Sequence, residues 1–408
     1  MNFFSRKLGA MPNTGFLNGL RALAAFSVLA CHVMIWSGWS SFGVPLLPGP
    51  GAVAKMAVDL FMILSGFLMA FNAHKRINEP MTRLDSWSKF YIRRFFRIAP
   101  GYYASLVVAL LLSKPFLSGY ATLADRLPGL AESFYNGKAI DYSATNILLH
   151  VTFLFGLFPE WSFSTQLPDW SLGLEMQFYV IFPLLTVVAM RWGVLRVCIP
   201  MVPLCLIATA LLAPGFREPS LILFKLPVFY AGMLLFFASV SSQKQEKLAL
   251  NSVALLLTLT QVQFYGKVGV LLVLAPLLIA FKCATPGNAV ARQLDWAIGR
   301  VLDNRFARVG SDLSYPVYLF HGFFIAIIGG ALFGSGAFVA LDPHARTAIL
   351  FVSVLVGTVG ASIIVHRFVE KPGINAGKHL VGLLKRPEGD DGVAARLAVA
   401  RASRRADR

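Results

Sequence analysis

Eleven apolar runs, each fifteen to twenty-three residues long, follow one another along this chain of 408 residues and leave few folds open to it. They fall near 18–36, 53–72, 98–113, 144–158, 171–190, 197–213, 220–239, 250–265, 267–281, 314–334 and 346–368. A helix needs about 20 apolar residues to cross about 30 Å of hydrocarbon, and several runs approach that length. A transmembrane barrel would read instead as alternating strands of about ten residues, and no such pattern is present. In lipid every backbone N–H and C=O must be satisfied within the protein, so helices remain. Composition agrees: 56% of residues are hydrophobic, 14% are charged and mean hydropathy is +0.65, where soluble domains carry roughly a quarter charged residues. The fold class expected is all-α, a polytopic transmembrane helix bundle of about ten spans.

The net charge of +17 is spread between the apolar runs, which is the topology pattern of membrane proteins and not a nucleic-acid footprint. Loop 73–97 holds Lys75, Arg76, Arg83, Lys89, Arg93, Arg94 and Arg97 against Glu79 and Asp85, whereas 37–54 has no charge. The positive-inside bias therefore puts the N-terminus and 73–97 in the cytoplasm and 37–54 outside. The linker 282–313 and the segment after the last run (Arg367, Lys371, Lys378, Lys385, Arg386) are basic too, so both termini are expected in the cytoplasm. Eleven crossings cannot satisfy that parity. Ten can, with either the short run 144–158 or one part of the interrupted stretch 250–281 not crossing. Residues 1–384 read as the membrane-embedded domain, and 385–408 as a basic, disordered cytoplasmic tail. Cys31, Cys198, Cys205 and Cys283 show no CxxC or Cys/His spacing, so neither a metal nor a disulfide framework is expected. The basic N-terminus leads into a long retained span and not a cleavable signal.

Ionisable residues inside spans are costly and point to function. In the first run Arg21 and His32 are eleven residues apart, about three turns plus ~20°, so they share one helix face about 16 Å apart in depth. Taken singly, Arg21 also fits a snorkelling anchor, and His32 a packed core histidine. Asp59 lies in or near the second span with its partner open, and Ser65-Gly66 permit close helix approach. Arg93, Arg94 and Arg97 open the third span. They suit phosphate, which guanidinium forks bind in pairs, and equally suit positive-inside anchoring. In QLPDWSLGLEMQFYVIFPLL, Pro168 and Asp169 suit a helix start. Beyond Trp170, that helix carries Glu175 and Tyr179 into apolar surroundings, and a buried carboxylate there needs a partner. His321 follows a Ser-Tyr-Pro segment, while His366, Arg367, Glu370 and Lys371 read as boundary charges.

Taken in order, LNGLRALAAFSVLACH, VDLFMILSGF, RRFFRIAPGYY, WSLGLEMQFYVIFPLL, LSYPVYLFHGFF and RFVEKPG resemble the membrane acyltransferase 3 family, the polysaccharide O-acetyltransferases of bacterial inner membranes. The matching pieces cover most of residues 15–375. Where the family usually has a second acidic residue after Glu175, this chain has Met176. The resemblance implies an O-acyltransferase of the bacterial inner membrane that moves an acyl group, most often acetyl, from cytoplasmic acyl-coenzyme A (acetyl-CoA) to a hydroxyl. The acceptor it implies is a sugar of an exopolysaccharide, lipopolysaccharide or related glycan at the outer face. On that reading His32 is general base or transient acyl carrier, and Glu175 orients or charge-balances the site. Arg21, Arg94 and Arg97 take the coenzyme A phosphates. Asp59, Ser65, Trp170, Tyr179 and His321 are further binding candidates, His321 also for proton transfer. No metal is expected, and the partners are the donor, a hydroxyl acceptor and the bilayer. A transporter or flippase for a lipid-linked sugar would use a similar polar cavity, although no internal repeat supports it. An acyltransferase of a small metabolite or lipid keeps the chemistry and changes the acceptor.

Overall fold

The computed structural model describes residues 11–39, 49–76, 78–127, 141–284 and 287–384, with the backbone alone at 266–268. The described residues are helical almost throughout and contain no strand. The first helices are α1 (Phe16–Trp36), α2 (Pro50–Lys75), α3 (Leu84–Leu111), α4 (Ser113–Arg126) and the short α5 (Ala144–Val151). Next come α6 (Trp170–Trp192), α7 (Cys198–Leu212), α8 (Ile222–Val240) and α9 (Lys244–Leu259). A 3₁₀ stretch, Gly266–Val273, leads into α10 (Leu274–Lys282), followed by α11 (Ala289–Leu302), α12 (Arg305–Phe333), α13 (Pro343–Val365) and α14 (Lys371–Leu383). Between α13 and α14, His366–Glu370 wind as a π-turn. The start of α1, the last turn of α2 with His74 and Lys75, the start of α3 and α11 gather at one end, called here the basic end. The expected tail, 385–408, lies outside the described residues.

Among the described residues eight helices are long and apolar enough to cross a membrane, and α3 with α4 makes a ninth if the bent pair counts as one span. Two of the eleven runs behave differently. Run 144–158 becomes an eight-residue helix that ends where Phe153 takes φ 60°, a conformation costly for a side chain with a Cβ. Run 267–281 is half 3₁₀ and half α. Its apolar helical part, Gly269–Lys282, is shorter than the helices long enough to cross. Eight candidate spans, or nine with the bent pair, thus stand where the sequence leads one to expect about ten.

The bend between α3 and α4 is 73° and has a local cause. Pro115, third in α4, has no N–H to give to the preceding turn, so the ladder breaks there. α4 then lies against α12 at Gly119, where an added Cβ would come within 2.1 Å of the Ala326 carbonyl oxygen. On the opposite rim, Asp342 caps α13 by accepting from the N–H groups of His344 and Ala345 at 2.9 and 3.2 Å. Those bonds, the one from Ala345 first, hold its carboxyl below the usual range.

α8 is the centre of the bundle, buried on nearly every side, whereas α7 and α13 turn residues such as Ile199, Leu211 and Val356 outward as a lipid face. α8 meets α2 through two reciprocal glycines. A Cβ on Gly66 would stand 1.9 Å from the Phe229 carbonyl oxygen, and one on Gly232 would stand 2.0 Å from that of Ile63. Small residues at such crossings let backbones meet where no hydrophobic force separates protein from lipid. Gly66→Leu is therefore expected to drive α2 and α8 apart. Thermal unfolding of the purified variant should show a large loss of stability, and an unchanged midpoint would contradict this packing.

Candidate functional site

Two cavities gather many of the polar groups at depth. On the basic side, Arg21 of α1, Ser65 of α2, Arg94 and Arg97 of α3, Glu175 and Tyr179 of α6, and Tyr315 of α12 face one space. Helical spacing puts them there: Glu175 and Tyr179 are one turn apart, as are Arg94 and Arg97. Ser65 Oγ donates to Glu175 Oε1 at 2.8 Å, and the Tyr179 hydroxyl donates to the same oxygen. The Arg94 guanidinium stacks 5.7 Å from the ring centres of both Phe90 and Tyr179. The three arginines repel one another, and Glu175 attracts Arg21 and Arg94. Arg94 Nε is buried and has no acceptor among the described residues. Three guanidiniums in one enclosed space make a strong anion site.

Glu370, read from the sequence as one of four boundary charges, lies beside this group. Its side chain is 1% exposed and attracts Arg97 and Arg21. His366 Nδ1 lies 2.7 Å from Glu370 Oε2 across the π-turn, and such turns often re-aim side chains at functional positions. Gly101 of α3 makes room: a Cβ there would stand 3.3 Å from Glu370 Oε1 and 2.8 Å from the Tyr315 ring.

The second cavity lies toward the opposite end and measures about 440 Å³, within the roughly 300–1,000 Å³ of ligand pockets. His32, Trp36, Lys55, Tyr120, Trp170, Arg217, Glu218 and His321 are among its walls. Trp36 and Tyr120 meet edge to face at 4.7 Å, and Lys55 pairs with Glu218 at 3.3 Å. His32 Nδ1 lies 2.8 Å from His321 Nε2, with the rings within 10° of parallel. His321 Nδ1 lies 2.7 Å from the Tyr318 carbonyl oxygen and 3.2 Å from that of Val317. A carbonyl can only accept, so His321 carries its hydrogen on Nδ1 and presents the Nε2 lone pair. His32 must then donate from Nδ1, which puts the lone pair of the neutral ring on its Nε2.

The two cavities share two lining residues, Val58 and Tyr318. The Tyr318 hydroxyl is 2.9 Å from Ser171 Oγ, and its ring stands edge-on to Phe61 at 6.5 Å. Arg21 and His32 thus lie on one helix face, as their spacing implies, but open into different cavities. Glu175 shares a cavity with the arginines and not with His32. Ser65 and Tyr179 are on the basic side, and Trp170 and His321 on the other.

Asp59 lines neither cavity. It is fully buried and held by Lys225, whose Nζ is 2.9 Å from Oδ1 and 3.0 Å from Oδ2, with Tyr265 donating to Oδ2 at 2.7 Å. Lys225 also reaches Gln261 Oε1 at 2.7 Å. The partner that the sequence left open is therefore a lysine inside another apolar run, itself a visible signal. Asp169 heads α6 without capping it: Oδ2 accepts from Tyr102 at 3.0 Å and Thr165 at 2.9 Å, which fixes the loop before Trp170. Tyr318 and Ser171 gave no signal of their own in the sequence.

Residues 14–367 match the sequence profile of a family described as acyltransferase domain. An acyltransferase designated MdmB, from Streptomyces mycarofaciens, is 29% identical over 217 residues, 49% of this chain and 49% of the relative. A peptidoglycan O-acetyltransferase designated OatA, from Listeria monocytogenes, is 30% identical over 186 residues, 43% of this chain and 24% of the relative. The matches thus span half the length of the first relative and about a quarter of the second. No solved structure matches.

Proposed function

Because the chain belongs to the acyltransferase domain family, we propose that this multi-pass membrane protein moves an acetyl group from cytoplasmic acetyl-CoA to a sugar hydroxyl on the far side of a bacterial inner membrane. The observation that carries the reading is the meeting of an arginine-lined cavity and a histidine-lined cavity at Val58 and Tyr318. By the positive-inside bias the arginine side faces the cytoplasm, where a donor rich in phosphate is found. Arg21, Arg94 and Arg97 bind its phosphates through paired N–H groups. Glu175, with Ser65 and Tyr179, keeps the guanidiniums apart and in position. The resemblance to a peptidoglycan O-acetyltransferase supports a glycan acceptor, and the aromatic walls of the far cavity (Trp36, Tyr120, Trp170) suit the apolar faces of a sugar ring.

The thioester reaches past Val58 and Tyr318, and the acceptor hydroxyl meets it from the far cavity. The hydroxyl oxygen attacks the carbonyl carbon, so a C–O bond forms and the C–S bond breaks. His32 Nε2 takes the hydroxyl proton and returns it to the departing sulfur. The products are an ester and free coenzyme A. Membranes containing the protein should consume labelled acetyl-CoA and yield an O-acetylated glycan. The decisive comparison is the polysaccharide of cells with and without the gene: loss of an O-acyl group is expected, and an unchanged glycan together with no donor consumption would refute the proposal.

A further inference from the structure

Helix α11 has no buried residue, yet it is not a polar helix. Val290, Leu294, Ala297 and Val301 recur at intervals of four, three and four, which puts them in one stripe along the helix. That stripe faces away from the protein, with Val290 73%, Leu294 50% and Val301 69% exposed. Other residues make the contacts with the bundle. Asp295 is paired with Lys282 at 2.6 Å, and a Cβ on Gly19 of α1 would stand 2.4 Å from the Leu302 carbonyl oxygen. α11 is thereby tied to the last residue of α10 and to the first turns of α1, at the basic end. A third face is basic and aromatic. Arg292, Trp296 and Arg300 follow one another at intervals of four, roughly a third of a turn round from the apolar stripe. The Arg300 guanidinium lies 5.2 Å from the Trp296 ring centre. Both aspartates of the segment are neutralised, Asp295 by Lys282 and Asp303 by Arg308 at 3.3 Å, and Arg292, Arg300 and Arg305 have no acidic partner among the described residues.

We propose that α11 is an interfacial helix that docks on a leaflet carrying anionic lipid. Its apolar stripe lies among the first acyl carbons, and Arg292, Arg300 and Arg305 lie among the lipid phosphates. Charge complementarity selects this occupant: three arginines without acids match a negative surface, which attracts each basic residue held near it. The composition of the faces agrees, since a helix with a basic side and a separate apolar side is the kind that lies in the plane of a membrane surface. Trp296, 63% exposed between two arginines, supplies the amphipathic ring that concentrates at headgroup level. Place in the chain agrees as well. α10, whose Leu274 and Leu277 are exposed, leads into α11, and α11 leads into the long span α12. The inference is independent of what the protein transfers and to which acceptor.

The test uses the full-length protein in lipid nanodiscs of phosphatidylcholine, alone or mixed with the anionic lipid phosphatidylglycerol. With the native cysteines replaced by alanine, a fluorescent probe is attached at Leu294→Cys, at Val301→Cys or, off the stripe, at Gln293→Cys. Acrylamide quenches a probe in water, and a lipid spin-labelled near the head of its acyl chain quenches a probe seated in the leaflet. In the mixed discs the probes at 294 and 301 should be quenched by the lipid and protected from acrylamide, with the reverse at 293. Replacing Arg292, Arg300 and Arg305 together by glutamine should reduce lipid quenching at 294 to its level in phosphatidylcholine alone. All three side chains are exposed, and thermal unfolding confirms that the variant is folded. Acrylamide quenching at 294 and 301 equal to that at 293 overturns the docking. Protection from both quenchers means that a protein covers the stripe, and overturns it too. Lipid quenching that is indifferent to phosphatidylglycerol, or to the loss of the three arginines, overturns the assignment to anionic lipid.

Discussion

Purified His32→Ala should lose acyl transfer by about two to four orders of magnitude, the usual contribution of a positioned general base, while keeping its affinity for coenzyme A. The two halves of this result come from two cavities. His32 lines the far one and Arg21, Arg94 and Arg97 the near one, with Val58 and Tyr318 common to both. Removing the imidazole therefore leaves the donor site intact. The complementary change, Arg94→Ala, should weaken donor binding and leave His32 and His321 in place. Coenzyme A affinity measured by calorimetry, beside turnover measured with labelled donor, separates the two effects. Retained turnover in folded His32→Ala would rule out His32 as the base.

The second large effect concerns stability. Lys225 and Asp59 are both fully buried, and their ion pair is joined by Tyr265 at the carboxylate and Gln261 at the ammonium. Removing one partner of such a pair leaves an uncompensated buried charge and costs about 3–5 kcal/mol. Lys225→Met alone and Asp59→Leu alone should each lower the unfolding midpoint strongly and reduce the yield of folded protein. The double variant, Lys225→Met with Asp59→Leu, should recover most of the loss, since an apolar pair of similar volume is often neutral or better. A double-mutant cycle in thermal unfolding measures the coupling directly. Additive losses would mean that the two side chains act independently, contrary to their geometry.

The sequence carried the fold and part of the site. Apolar run length alone identified the helical bundle, because lipid leaves the backbone no other way to satisfy itself. Helical period put Arg21 and His32 on one face, and the same rule put Glu175 beside Tyr179. What spacing cannot supply is the identity of the neighbours. Tyr318 comes from a helix 286 residues after His32 in the chain and stands where the two cavities meet. Lys225 is 166 residues from Asp59, and both could be recognised as costly charges without being recognised as partners. Near the end of a span a carboxylate resembles a boundary charge, and nothing in the sequence announces that Glu370 sits buried in a π-turn with Arg97 as a neighbour. Ser65-Gly66 was read as a pair that permits close helix approach, with Ser65 also a binding candidate, and in the structure Gly66 makes the contact while Ser65 donates to Glu175.

The hydrogen-bond chain through the histidine pair has a direction, and the direction has a consequence for the membrane itself. His32 donates to His321, which donates to the Tyr318 carbonyl, and there the chain stops, since an amide oxygen holds no proton to pass on. A proton taken up at His32 can reach the nearer face of His321 but go no further along this route. A protein with ionisable groups open to both ends of a bundle risks becoming a wire that short-circuits the proton gradient across its membrane. In this arrangement the one route through the histidine pair is a blind end, so it offers a proton no onward step beyond His321.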